Sequence, residues 1–192
     1  IDRSLVGSEM CIRDRFFYKE CFMDDLRKRL TMGQLDIVIL PPTTPKFGEH
    51  FISLYKEPLC FLPSSNSPLN KEEITTVSMQ DARKEKLILP IDACGLRGVT
   101  RELFADDFEQ LSIYPGQATS YNVVESWAEI GIGSGILPVS KISSENRTAR
   151  PLLDDEGEPA IIEWEATWMT PSVASRHVEN FVDYMQQAGP IQ

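Results

Sequence analysis

The side chains best suited to chemistry are hydroxyls, one guanidinium and a thiol, gathered where predicted strands end and helices begin. Thr43 and Thr44 follow an apolar run that ends at Leu40. Asp92, Cys94, Gly95 and Arg97 follow Leu87-Ile-Leu-Pro90, and Thr119 and Ser120 precede a predicted helix. Gly133 and Ser134 lie in a glycine turn. Such positions carry free backbone N–H groups at helix starts, and these with hydroxyls suit a small carboxylate or polar organic ligand. Arg97 is the cation of these loops and the best partner for a carboxylate. It also reads as a solvated residue at a helix start. Thr119 and Ser120 are helix caps first and ligand contacts second.

Catalysis finds less support. Cys94 has no local base to activate it. Asp36, within a predicted buried strand, has no paired acid and reads as a structural hydrogen-bonding group. His50 and His177 stand far apart, which gives no metal set. Asp154-Asp-Glu-Gly-Glu158 lacks calcium-loop spacing and reads as a solvated turn. No nucleophile–base pair or cofactor loop is present, so the expectation is a binding protein with no catalytic residue, cofactor or metal.

The elements that must position these groups follow from periodicity. Ser126-Trp-Ala-Glu-Ile-Gly-Ile-Gly-Ser-Gly-Ile-Leu-Pro138 reads as a helix end, a glycine turn and a buried strand stopped by proline. It is no Walker loop, because no Gly-Lys-Ser/Thr follows, and no dinucleotide fingerprint, because it follows a helix. Phe16–Phe22 reads as an aromatic strand, and a helix starts at Asp24 or Asp25 and runs to Thr31. Leu35–Leu40 reads as a buried strand, Phe51–Leu62 as an extended segment, and Ser78 as the start of a short helix. Gly98–Ala105 and Ser120–Glu129 are predicted helices. Ile161–Met169 is a predicted strand with Ile162, Trp164 and Trp168 facing inward. Ser172 is expected to cap a last helix with Val178, Phe181, Val182 and Met185 on one face. Alternating strands and helices predict an α/β fold with a mainly parallel sheet.

Read in order, these pieces resemble the effector-binding (substrate-binding) domain of LysR-type transcriptional regulators. The resemblance rests on Leu26-Arg-Lys-Arg-Leu30, Gly33-Gln-Leu-Asp-Ile-Val-Ile-Leu40, Tyr55-Lys-Glu-Pro-Leu-Cys-Phe-Leu62 with Ser67-Pro-Leu69, Leu87-Ile-Leu-Pro90 with Leu96-Arg97, and the glycine segment. It spans about Phe16 to Tyr184. It implies two Rossmann-like subdomains joined by two crossover strands, as in type 2 periplasmic binding proteins, with the first strand and helix missing. The implied crossings lie near Pro58–Cys60 and Glu165–Thr167. Residues 16–58 plus 166–192 would form subdomain I and 59–165 subdomain II. Thr43, Thr44, Asp92, Cys94, Gly95, Arg97, Thr119, Ser120 and Gly133 would then face an effector, anionic if Arg97 binds it, held between the lobes. The resemblance also implies a cytoplasmic homo-oligomer, dimer or tetramer, that meets DNA only through an absent winged helix-turn-helix. The alternative is a periplasmic solute-binding protein of the same fold.

Leu5-Val-Gly-Ser-Glu-Met-Cys-Ile-Arg-Asp-Arg15 resembles a translated transposase-type sequencing adapter, so residues 1–15 are set aside as an assembly artefact. They carry three acids and three bases, so the net charge of −10 stands without them. An acidic chain lacks the basic face that phosphate contacts need. Its 42% hydrophobic content is enough for a core. No apolar run is long enough to span a membrane. Setting Cys11 aside leaves Cys21, Cys60 and Cys94, widely spaced and odd in number, as expected of reduced thiols.

Overall fold

A computed structural model describes residues 17–19, 21, 23–42, 47–91, 95–170 and 176–188. The expected strand at Phe16–Phe22 is absent from its described part. Residues 17–19 carry no regular structure, and Phe17 and Tyr18 are exposed.

Helix α1 (Met23–Thr31) is the first described helix. Asp24 and Asp25 sit in its first turn and Lys28 and Arg29 in its last, which suits the helix dipole. Arg29 reaches back to Asp25 at 2.6 Å and, through this hydrogen bond, holds that carboxyl below its usual range. The chain then turns at Gly33 (φ 67°) into β1 (Ile37–Leu40). Two expectations change here. Ile39 is half-exposed, so β1 is covered on one face only, where Val38 and Leu40 pack with Leu30. Asp36 is exposed in the bend before the strand, not buried within it.

Two long strands carry the architecture. β2 (Glu49–Leu62) and β6 (Ile161–Met169) run antiparallel from Glu49↔Met169 to Pro58↔Ile161, with an irregularity between Ser53 and Tyr55. At one end β6 also ladders with β1, from Leu40↔Glu165 to Ile37↔Trp168. At the other, β2 ladders with β4 (Gly135–Pro138) through Leu59↔Pro138 to Leu62↔Gly135, and with β5 (Arg150–Leu153). The change of partner on β2 falls at Pro58–Leu59. On β6, Glu165–Trp168 pair with β1 and β2 together, whereas Ile161–Trp164 pair with β2. The described ladders are therefore mostly antiparallel, not mainly parallel. Parallel pairing is confined to β3 (Val77–Ser78) with β5 and to bridges at Leu87, Pro90, Ile113, Ala118 and Ser134. The reason is that the two long strands run alongside each other in opposite directions, and β1 and β4 each pair with one of them in the opposite direction as well.

The larger core surrounds Phe61, Leu62, Leu87, Ile88, Phe104, Val124 and Leu137. Around it lie α2 (Met79–Ala82), α3 (Leu96–Phe104) and α4 (Tyr121–Glu129). Ser78 caps α2, its hydroxyl accepting from Asp81 N–H at 3.1 Å. The acidic turn is more than solvated: Asp155 takes both guanidinium ends of Arg83 at 2.8 Å each. That contact holds the Asp155 carboxyl low and the Arg83 guanidinium high. Ile162 and Trp164 are buried as the strand parity requires, whereas Trp168 is half-buried and stacks on His50. The last helix, α5 (Arg176–Ala188), lies against His50 and Trp168, with Val182 buried. Ser172, its expected cap, is outside the described residues.

Candidate functional site

Three extended segments, at Leu87–Ile91, Ile113–Ala118 and Ser134, run parallel through the bridges Leu87↔Ile113, Pro90↔Ala118 and Leu87↔Ser134. Their exits lead to α3 and α4. Gly95 precedes α3 with φ 75°, a conformation that glycine adopts without steric cost. A Cβ there would sit 2.9 Å from Met23 Sδ and 3.7 Å from Pro41, so α1 and the chain beyond β1 close against the start of α3. Arg97 follows, half-buried in the first turn. The neighbouring exit ends at Thr119 and Ser120, both exposed. Ser120 is the cap of α4: its hydroxyl accepts from Val123 N–H at 3.4 Å, and its backbone is extended.

Ser120 opens onto a cavity of about 380 Å³ lined also by Tyr121, Asn122 and the stretch Ser140–Ser143. The Lys141 ammonium lies 6.0 Å from the Tyr121 ring centroid. Two buried carboxylates hold this wall from behind. Glu57 accepts from Ser140 N–H at 2.9 Å and from its hydroxyl at 3.0 Å. Glu125 accepts from Ser143 N–H at 3.2 Å and from the Asn146 amide at 2.7 Å. The arrangement joins a helix N-terminus, several hydroxyls and a cation around one space, which suits an anion in preference to a cation.

Not every expected residue is part of this grouping. Gly133 and Ser134 lie level with Lys86 and Leu87, at the entry of the Leu87 strand. Four residues of strand, about 13 Å, separate them from the exit at Ile91. Gly133 is buried, and a Cβ there would lie 2.6 Å from the Lys86 carbonyl oxygen. Its role is close backbone packing, which a glycine turn supplies as readily as a ligand contact. The Ser134 hydroxyl accepts from Ser64 N–H at 2.9 Å and donates to Glu85 at 3.0 Å. Thr43, Thr44, Asp92 and Cys94 lie outside the described residues.

Ser140, Lys141 and Ser143 were not among the expected site residues. A signal was present in Glu57, a lone acid in an apolar extended run, which demands donors if buried. Burial, and then the charge of Glu57, push the Cys60 thiol up, which disfavours its thiolate. A smaller cavity of about 200 Å³ lies between α5 and the His50–Trp168 stack. Among the described residues no group of His, Cys, Asp and Glu could hold a metal, and no helix is long and apolar enough to cross a membrane.

A family model described as the LysR substrate binding domain matches residues 19–190. Among solved structures, the reduced form of OxyR is 21% identical with a TM-score of 0.70, over 90% of this chain and 79% of that one. The oxidized form of OxyR is 19% identical with a TM-score of 0.73, over 95% and 86%. The Synechocystis CcmR regulatory domain in complex with 2-PG is 17% identical with a TM-score of 0.72, over 96% and 88%. At these identities the likeness is one of fold. No curated protein matches the chain in sequence.

Proposed function

The chain belongs to the LysR substrate-binding domain family and is a ligand-sensing regulatory domain, and from this premise we propose that it captures a small anionic effector between two lobes. The observation that carries the anionic part of the reading is the cavity where the Ser120-capped start of α4 meets Lys141, lined by residues of the 59–165 lobe. Arg97, in the first turn of α3, supplies a second cation on the neighbouring exit. Gly95, Thr119 and Ser120 border the same exits, and Thr43, Thr44, Asp92 and Cys94 belong to the loops that would complete them. That the CcmR regulatory domain of similar fold is recorded with 2-PG supports small-molecule capture.

In this reading the lobes are residues 16–58 plus 166–192 and residues 59–165, and β2 and β6 are the hinge between them. An effector that contacts both lobes favours one lobe angle over another. The change re-aims a winged helix-turn-helix carried elsewhere in a homo-oligomeric, cytoplasmic regulator. The domain itself is acidic and has no part in holding DNA.

The test is calorimetry of the physiological effector on the regulator and on its Arg97→Ala and Lys141→Ala variants. A charge-assisted hydrogen bond contributes on the order of 1.5–3 kcal/mol, so each loss lowers affinity about tenfold or more. Operator binding without effector stays intact. Unchanged affinity in both variants would remove the anionic reading.

A further inference from the structure

Glu57 is a buried carboxylate, 6% exposed, one residue before β2 changes partner from β6 to β4. Its two oxygens serve two different elements. Oε1 accepts from the indole N–H of Trp164 at 2.7 Å and from the Ser140 hydroxyl at 3.0 Å. Oε2 accepts from Ser140 N–H at 2.9 Å. Trp164 belongs to β6, the second crossing strand, and stacks on Tyr55 at 6.1 Å. Ser140 is the middle of the three-residue turn Val139–Lys141 that walls the α4 cavity.

We propose that Glu57 is a positioning residue that fixes the Ser140–Lys141 wall of the α4 cavity and ties it to both crossing strands. The inference rests on the reading of that cavity as the effector site. Two hydrogen bonds to one serine leave the turn little freedom, and the turn sets where the Lys141 ammonium stands. Tryptophan has one polar hydrogen, and its acceptor here is the oxygen that Ser140 also uses. A displacement of Ser140 therefore changes what the indole meets. A buried carboxylate left short of donors is costly, so the three bonds rearrange together. A wall that answers to an anion is in this way read on the hinge.

The three tryptophans, Trp127, Trp164 and Trp168, give three indole N–H resonances in a nitrogen-15 spectrum of the whole chain, and Trp164→Phe assigns the one that matters. Ser140→Ala is expected to shift the Trp164 resonance and leave those of Trp127 and Trp168 in place. Glu57→Gln, which keeps the shape and removes the charge, shifts it further. Inorganic phosphate serves as the anion probe. It is expected to move the backbone amides of Ser120 and Lys141 together with the Trp164 indole, and in Glu57→Gln the indole no longer follows. A Trp164 resonance that ignores Ser140→Ala overturns the proposal, even if Glu57→Gln fails to fold. Phosphate that moves the Ser120 and Lys141 amides but not the indole overturns it as well. Phosphate that moves none of them counts against the cavity as an anion site, and the Ser140→Ala result alone then decides the role of Glu57.

Discussion

Replacing Gly133 by alanine places a methyl group where the structure has no room. The added Cβ would lie 2.6 Å from the Lys86 carbonyl oxygen and 3.2 Å from Ile88 Cγ1. The first neighbour is backbone and cannot swing aside as a side chain could. Overpacking of this kind costs about 1–3 kcal/mol. Relief requires Gly133 and Ser134 to draw away from the Leu87 strand, which stretches two bonds. These are Ser134 N–H to the Lys86 carbonyl at 2.8 Å and Ile88 N–H to the Ser134 carbonyl at 2.7 Å. Each contributes about 0.5–1.5 kcal/mol, so the whole loss is about 2–6 kcal/mol. For a domain of this size that lowers the melting midpoint by about 4–24 °C. Urea and thermal unfolding of the purified variant measure it directly. A midpoint equal to that of the native protein would refute the packing argument and return Gly133 to the ligand contacts.

Gly98 gives the opposite sign: it is an exposed position inside α3 with nothing within 4 Å of a Cβ, so Gly98→Ala should stabilise by about 0.5–1 kcal/mol in the same unfolding assay. A loss of stability there would mean that the space is filled. Burial, and then the charge of Glu163, raise the carboxyl of Glu165 against the pull of Arg27. An acid raised in the fold costs stability when ionised, fully so above its folded pKa and not at all below its unfolded value of about 4.3. Glu165→Gln should therefore stabilise the protein at neutral pH, with the gain vanishing as the pH falls toward that value. Equal denaturation midpoints at pH 7 would contradict this.

Much of the large core and one side of the candidate site were legible in the sequence. Ser120 at a helix start, Gly131 at its end, and Ile136 and Leu137 as a buried strand follow from local chemistry, and each stands where expected. What was not legible depends on neighbours distant in the chain. The run Ile37–Leu40 is apolar throughout, yet sequence cannot say that one face goes uncovered, as the half-exposed Ile39 shows. Alternation of strands and helices suggested parallel pairing, but the long antiparallel ladder of β2 with β6 joins residues more than a hundred positions apart. Gly133 looked like a ligand turn because tight packing and ligand approach both require a missing Cβ. Lys141 was hidden because its turn meets the start of α4 only in the fold, where the neighbouring Ser140 bonds to Glu57, more than eighty residues earlier.

β2 has a last consequence, in the language of solvent exchange. Its later residues, Leu59–Leu62, are flanked by β4 and β5 within the large core. Its earlier residues pair only with β6 among the described elements, beside a cluster of Leu30, Val38 and Leu40. One continuous strand thus crosses from a well-buttressed region into a thinly buttressed one. Local opening draws on the least supported contacts first. Amide protons from 49 to 53 should therefore trade with deuterium through partial openings that leave 59 to 62 untouched, and the boundary between the two behaviours should fall along the stretch that carries Glu57.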